Sequence, residues 1–224
     1  MMTVHHRQAL SQPQEDYLKA LYELGSRARG LVGTTELSER LQVSAPSAAQ
    51  MLVRLASLGL VSHDRYHGSA LTPAGEAVAL EMVRHHRLLE MYLAKALGYR
   101  WDEVHDEAER LEHVISEQME QRIYDALGRP GLDPHGDPIP TPAGELEPFT
   151  GRPLHECRAG EIATVVRVSD RDAGKLRELS RLGLVLGASV ELLRESRYEG
   201  PLSVRINGRR RQVALGVARA VYVR

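Results

Sequence analysis

The chain has 224 residues, enough for more than one domain; 42% of them are hydrophobic and 26% charged, and the formal net charge at pH 7 is −1. No apolar run approaches the roughly 18 residues of a membrane span, and no apolar secretory signal begins the sequence, so we expect a cytoplasmic protein with no membrane partner. The single cysteine, Cys157, excludes an internal disulfide and a zinc site made of cysteines, so a metal site would have to use nitrogen and oxygen ligands.

The first third of the sequence has the pattern of a winged helix-turn-helix. Apolar residues at helical spacing from Tyr17 predict a first helix, and TTELSERL predicts a short second one. The segment QVS is then a turn, after which Ser44 is suited to cap a third helix, with Pro46 in its first turn. LVSH and SALT predict two short strands around the turn DRYHG, which is the pattern of a wing.

The third predicted helix has one apolar face and one polar face. In helix-turn-helix proteins a helix in this place enters the major groove with its N-terminal side chains against base edges. An ordinary solvated helix face would carry the same residue types, but the surrounding pattern favours DNA contact. We therefore expect DNA contacts from the start and polar face of this helix and from the tip of the wing: Ser44, Pro46, Ser47, Gln50, Arg54 and Arg65.

The middle of the chain is acidic and helical. Residues 76–127 carry twelve carboxylates and six basic side chains, and a predicted helix runs from Thr72 to about Leu97. His86 and Glu90 fall within its apolar stripe, where an unpaired charge would be costly. His86 alone is typical of a hydrogen-bonded core histidine, but a carboxylate four residues later favours a metal-ligand role.

The segment HDEAERLEHVIS supplies further metal-ligand residue types. If it is one continuous helix, spacings of three and four residues bring two histidines and two glutamates to one side. A solvated stripe with ion pairs would explain this segment taken by itself. Together with His86 and Glu90, the four side chains indicate a metal site between two helices: His105, Glu109, Glu112 and His113.

The last third predicts a small all-β domain. A Pro- and Gly-rich segment after Leu127 cannot hold a long helix and marks a boundary. From about Thr150, short β-type runs with one helical piece, KLRELSRLG, predict a barrel, and Asn207-Gly208 predicts a tight hairpin. Residues 150–224 carry fifteen basic and eight acidic side chains.

Several segments in series resemble the diphtheria-toxin-repressor family of iron- and manganese-dependent transcriptional regulators. They are QEDYLKALYEL, SAPSAAQMLVRLASLGLV, LTPAGEAVA, RHHRLLEMYL, VHDEAERLEHVIS and DPHGDPIP, and the C-terminal part is similar to the barrel of ferrous-iron transport accessory proteins. The resemblance implies an α+β fold: a winged helix-turn-helix at 1–75, an all-α metal-binding and dimerisation domain at 76–142, a linker at 143–149, and a small Src-homology-3-like barrel at 150–224.

The resemblance also implies two metal sites. The main site would use Asp16, Glu109, Glu112 and His113. The ancillary site would use His86, Glu90 and His105, and members of the family often complete it from the barrel, where the nearest position is Asp172. Lys19 stands where manganese-type members carry a carboxylate, so we expect separate sites rather than a bridged pair of ions.

Ligand chemistry indicates the metal. Iron-type members of the family carry sulfur residues at the positions of Asp16 and Glu109, whereas both offer oxygen here, which favours manganese(II) over the alternative, iron(II). The resemblance then implies a regulator that represses metal-uptake genes when metal is bound, as a homodimer on a near-palindromic operator, with no small organic substrate. It implies no enzyme, and the Glu-x-x-His pairs of carboxylate-bridged metalloenzymes do not occur. A winged-helix regulator with an organic effector stays open from the sequence.

Overall fold

The computed structural model of the chain describes residues 10–28, 30–64, 67–194 and 200–224. These residues form two compact units. The first comprises residues up to 85 with 112–115 and 140–145, and the second comprises 86–111, 116–139 and 146–224. Within the described ranges, no helix is long and apolar enough to cross a membrane.

The first unit begins with three helices and a hairpin: α1 Gln12–Ala28, α2 Thr34–Leu41, α3 Ala45–Ser57, β1 Val61–Asp64 and β2 Gly68–Leu71. The turn before α3 follows from local chemistry, because Gln42 adopts a left-handed conformation and the Ser44 hydroxyl accepts a hydrogen bond from the Ser47 backbone N–H. The two strands pair antiparallel from Val61 opposite Leu71. The predicted winged helix-turn-helix is therefore confirmed.

Helix α4, Pro73–Ala96, contributes to both units. The Thr72 hydroxyl accepts a hydrogen bond from the Gly75 N–H at 3.2 Å, as expected of a helix cap. Gly75 is needed at this point, since a Cβ there would lie 2.0 Å from the carbonyl oxygen of Leu60. The helix ends at Ala96, close to the predicted end, and the Leu97 side chain is exposed.

The prediction of one helix from His105 to Ser116 is wrong. Helix α5, Val104–Leu111, ends one residue before Glu112, and residues 112–114 form a turn. The Ser116 hydroxyl then accepts a hydrogen bond from the Met119 N–H and begins α6, Glu117–Ala126. The two ends of the segment belong to different units: residues 112–115 belong to the first and His105 to the second.

The C-terminal part of the second unit is the predicted small β domain. Among the described residues, its strands and helices are β3 Arg152–Pro153, β4 Ile162–Val168, α7 Ala173–Leu182, β5 Ser189–Arg194, β6 Leu202–Ile206, β7 Arg209–Val213, α8 Leu215–Ala218 and β8 Val221–Val223. These strands form one sheet in the order β3-β8-β4-β5-β6-β7. Asn207 and Gly208 both have positive φ, as a two-residue hairpin requires.

The DPHGDPIP segment folds as a tight loop in the second unit. One carboxylate oxygen of Asp133 accepts hydrogen bonds from the backbone N–H groups of His135 and Asp137, at 2.8 and 2.9 Å. Gly136 has φ +88°, and a Cβ there would lie 2.2 Å from the carbonyl oxygen of Val166. The loop thus lies directly against β4, which fixes the position of the His135 side chain.

Candidate metal centre

The first unit brings together two carboxylates and one imidazole. Asp16 lies on α1, and Glu112 and His113 lie in the turn after α5. The Nε2 atom of His113 is 2.9 Å from an oxygen of Asp16 and 3.7 Å from an oxygen of Glu112. One donor atom from each residue lies within 4.8 Å of the others, which is a spacing that one metal ion can bridge. We refer to these three residues as the first cluster.

A fourth residue orients the imidazole of the first cluster. The Nδ1 atom of His113 is 2.7 Å from a carboxylate oxygen of Glu15, and both side chains are buried. Metal-binding histidines commonly donate the second ring N–H to a carboxylate, which fixes the tautomer and aims the other nitrogen at the ion. Burial alone would lower the pKa of His113, but hydrogen bonds to Asp16 and Glu15 outweigh burial and raise that pKa to about 9. In the absence of metal, therefore, the ring holds a proton among the carboxylates.

Lys19 also contacts the first cluster. Its Nζ atom lies 2.9 and 2.8 Å from the two carboxylate oxygens of Glu112. Lys19 is 5% exposed and Glu112 is fully buried, so this is a dry ion pair rather than a surface one.

The second unit contains a separate group of ligand residues. An oxygen of Glu90 is 3.1 Å from His86 Nε2 and 3.4 Å from His105 Nδ1. Asp170, which follows β4, is 3.7 Å from the same nitrogen of His105. Donor atoms from all four residues lie within 4.8 Å of one another. We refer to them as the second cluster.

Glu90 presents its other oxygen to a further histidine. Glu90 Oε2 and His135 Nδ1 are 3.6 Å apart, both are fully buried, and neither has a hydrogen-bond partner among the described residues. The other ring nitrogen of His135 donates to the Trp101 carbonyl oxygen at 2.7 Å. Burial alone would lower the pKa of His135, but its interaction with the Glu90 carboxylate outweighs burial and raises that pKa to about 9. Asp133 belongs to this group as well, and burial raises its pKa. An unpaired buried carboxylate oxygen is costly, so either a proton on His135 or a metal cation would be expected between these two atoms.

Sequence reasoning missed three of these residues. Asp133 and His135 lie in DPHGDPIP, which carried the family resemblance but was assigned no ligand role. The spacing of a histidine two residues after an aspartate in a Gly- and Pro-rich loop was the available signal. Asp170 stands beside His105, whereas the predicted Asp172 caps α7 and accepts the Lys175 backbone N–H at 3.0 Å.

The resemblance implies that Glu109 belongs to the main site, and that assignment stays a prediction. The nearest histidine nitrogens to Glu109 are those of His86 and His105, each 3.9 Å from one of its oxygens. These residues belong to the second unit, so the structure brings Glu109 together with the second cluster. The side chain is 38% exposed, which leaves it room to move.

The predicted DNA contacts that the structure describes lie on an accessible surface. The exposed residues at the start and on the polar face of α3 are Ser44, Pro46, Ser47, Gln50 and Arg54. Arg65 lies outside the described residues. The apolar face of the helix is buried through Ala48, Leu52 and Leu55. DNA contact by the exposed residues stays a prediction.

Comparison with known proteins identifies the family. Residues 9–69 match the family described as "Iron dependent repressor, N-terminal DNA binding domain", and residues 72–141 match "Iron dependent repressor, metal binding and dimerisation domain". Residues 152–224 match the FeoA domain. The diphtheria toxin repressor of Corynebacterium glutamicum is 31% identical over 221 residues, covering 93% of this chain and 94% of that protein. The chain belongs to the diphtheria toxin repressor family.

Other members of the diphtheria toxin repressor family extend the comparison. The iron-dependent repressor IdeR of Mycobacterium tuberculosis is 40% identical over 185 residues, covering 70% of this chain and 77% of that protein. A solved manganese-dependent transcriptional repressor in complex with manganese is 41% identical with a TM-score of 0.88, covering 94% of this chain and 98% of that one. The manganese regulator SloR is 32% identical with a TM-score of 0.78, covering 94% and 97%. This chain is therefore a metal-dependent transcriptional repressor, as the resemblance predicted.

Proposed function

We propose that this repressor responds to manganese(II) and, when loaded, binds a near-palindromic operator as a homodimer and represses metal-uptake genes. It has no enzymatic role and works where the cell's DNA lies, in the cytoplasm. The observation that carries the proposal is the first cluster, in which Asp16, Glu112 and His113 offer two hard oxygen donors and one imidazole to a single point.

The donor set supports the choice of metal. Carboxylate ligands suit manganese(II), whereas imidazole and thiolate ligands suit iron(II) and later metals more strongly. Cys157 is buried in the core of the β domain and offers no ligand to either cluster. Iron(II) is the competing assignment, because the mycobacterial relative is named an iron-dependent repressor.

The chain's own residues would hold the ion in defined ways. Asp16, Glu112 and His113 would be ligands, and Glu15 would keep His113 Nε2 directed toward them. A bound ion would supply divalent positive charge to the carboxylates of Asp16 and Glu112. Those residues would then hold α1 against the 112–113 turn, and α1 packs in the same core as α3. We infer that the ion thereby favours the arrangement of α3 that binds DNA.

The second cluster would hold a further ion through His86, Glu90, His105 and Asp170. Glu109 is close enough to join this site after a small side-chain movement. Asp133 and His135 lie beside the other oxygen of Glu90 and would be ligands on that side. We assign Asp172 to capping α7 rather than to this site.

The order in which manganese(II) and iron(II) activate DNA binding tests the choice of metal. Operator DNA would first be selected with the manganese-loaded protein. Fluorescence anisotropy would then follow the binding of the protein to that DNA, under anaerobic conditions, as free manganese(II) or iron(II) is raised. The parent protein should reach half-saturation at lower free manganese(II) than iron(II), and Asp16→Met should reverse or narrow that order because it replaces oxygen with sulfur. Asp16→Asn is the matched control that keeps an oxygen donor. An unchanged ranking in Asp16→Met would mean that donor softness does not select the metal.

A further inference from the structure

Trp101, the only tryptophan of the chain, contacts His135 in two ways. It lies in the turn before α5. Its backbone carbonyl oxygen accepts the Nε2–H of His135 at 2.7 Å, and its indole ring stacks on the imidazole, with the ring centroids 5.9 Å apart and the ring planes 23° apart. The imidazole is fully buried, so one residue fixes both a ring nitrogen and a ring face of a side chain that is shielded from water.

The contact with the carbonyl selects the nitrogen that can bind an ion. Because the Nε2–H of His135 is directed at the Trp101 oxygen, Nδ1 is the nitrogen that faces Glu90, at 3.6 Å. The backbone of His135 is held separately, since its carbonyl oxygen accepts the Val168 N–H at 2.9 Å. With the backbone held, the freedom left to the imidazole is rotation about its side-chain bonds, and the stacked indole restricts that rotation.

Trp101 is itself held by the β domain. Its indole N–H donates to the Ser180 hydroxyl on α7 at 2.7 Å, and its ring packs against the core of that domain. The next residue, Asp102, has a buried carboxylate that lies 3.6 Å from the Arg177 guanidinium on α7. Two contacts from α7 thus fix the turn that carries Trp101.

We propose that Trp101 is a positioning residue for His135, and that its ring and carbonyl oxygen direct His135 Nδ1 toward an ion beside Glu90. The proposal rests on the proposed role of His135 as a metal ligand and adds the residue that orients it. Loss of an outer partner of a metal-binding histidine typically lowers metal affinity about ten- to a hundredfold. Trp101 should therefore affect the metal affinity of the second unit by a factor in that range.

Three substitutions separate the stacked ring from other effects. Trp101→Leu removes the ring and should lower the manganese(II) affinity of the second unit at least about tenfold. Trp101→Phe keeps an aromatic ring that can stack on the imidazole, so its affinity should stay within about threefold of the unsubstituted protein. Tyr99→Leu is the matched control, because it makes the same kind of exchange two residues earlier, at a side chain that is 40% exposed. It should leave the affinity unchanged.

All variants would be made in a His113→Ala background, which removes the first cluster from the measurement. The electron paramagnetic resonance signal of free manganese(II) gives the affinity of each protein. Fluorescence gives a second readout, because a paramagnetic ion bound by His135 should quench the emission of Trp101, and His135→Gln should shift that quenching to higher manganese(II) concentration. Equal affinity of Trp101→Leu and the background protein would overturn the proposal. So would an equal loss of affinity in Trp101→Phe and Trp101→Leu.

Thermal melting of the metal-free variants checks their folding. If Trp101→Leu does not fold, the emission of Trp101 in the background protein decides: quenching that shifts in His135→Gln supports the proposal, and emission unchanged by manganese(II) overturns it. Failure of the proposed metal role of His135 has a different signature, in which His135→Gln binds manganese(II) as tightly as the background protein does. In that case the role of Trp101 falls with it.

Discussion

His113 holds a proton where the proposed function requires an ion. Its hydrogen bonds to Asp16 and Glu15 raise its pKa from 6.5 to about 9, against the opposing effect of burial. Because folding raises this pKa, protonated His113 stabilises the folded, metal-free chain. The contribution is fully present below about pH 6.5 and is lost as pH rises through 9. An incoming metal ion must displace the same proton.

Manganese(II) affinity of the first cluster should therefore rise with pH. The test uses a Glu90→Gln background, because Glu90 belongs to both ligand groups of the second unit. In that background, the association constant for manganese(II) should increase about tenfold per pH unit between pH 7 and pH 8.5, with one proton released per ion. Isothermal titration in buffers of different ionisation enthalpy measures both quantities. The melting temperature of the metal-free protein should fall as pH rises over the same range, and His113→Gln should reduce that fall. Affinity independent of pH would show that His113 is not a ligand.

The sequence identifies ligand types more readily than ligand partners. Asp16, Glu112 and His113 meet as the family resemblance implied, although Glu112 and His113 do so from a turn that 3.6-residue periodicity did not reveal. Ser116 was the overlooked signal, because a serine before an acidic stretch is suited to begin a new helix. Asp170 and Asp172 could not be ranked from sequence, since both precede α7 and only the chain path decides which one caps it.

At the scale of elements, α3 has a buried apolar face and an exposed polar face. Leu52 and Leu55 are fully buried, while Ser47, Gln50 and Arg54 share an exposed face. Apolar periodicity was sufficient to predict this helix and its two faces. Base recognition does not follow from exposure alone and needs a test that separates base contacts from phosphate contacts.

Gln50 provides that test. Gln50→Ala should weaken operator binding by about 1–3 kcal/mol per half-site and narrow the difference between operator and random DNA, because a glutamine amide can pair bidentately with adenine. Arg65→Ala, in the predicted turn DRYHG, should instead weaken both DNAs alike and reduce the salt dependence of binding. Anisotropy titrations at several salt concentrations distinguish the two patterns. If Gln50→Ala binds both DNAs as the parent does, α3 does not read the operator.

The DPHGDPIP loop depends on one glycine. Gly136→Ala should destabilise the second unit by about 2 kcal/mol or more, because Gly136 has φ +88° and its Cβ would lie 2.2 Å from the Val166 carbonyl oxygen. Denaturant unfolding measures the loss. Gly131→Ala is the control, since nothing lies within 4 Å of its Cβ and it should change stability by less than about 1 kcal/mol. Equal effects of the two substitutions would contradict the close contact.

At the scale of the whole molecule, the order of domains was predictable and the boundary between structural units was not. Helix periodicity and hairpin signals predict the winged helix-turn-helix and the β domain in sequence order. The compact units, however, divide α4 after His85 and include residues 112–115 with the N-terminal part. That division follows from long-range contacts such as Lys19 with Glu112, which local patterns do not contain.

Manganese-dependent operator binding by the His113→Ala variant tests the central claim most directly. Fluorescence anisotropy would follow operator binding as free manganese(II) is raised, for the parent, His113→Ala and the matched Glu90→Gln variant of the second cluster. We expect the parent to gain about ten- to a hundredfold in operator affinity on loading, which is the usual size of such coupling. His113→Ala should gain nothing at any manganese(II) concentration, while Glu90→Gln should keep most of the response. Full activation of His113→Ala, with loss of response in Glu90→Gln, would contradict the assignment of metal sensing to Asp16, Glu112 and His113.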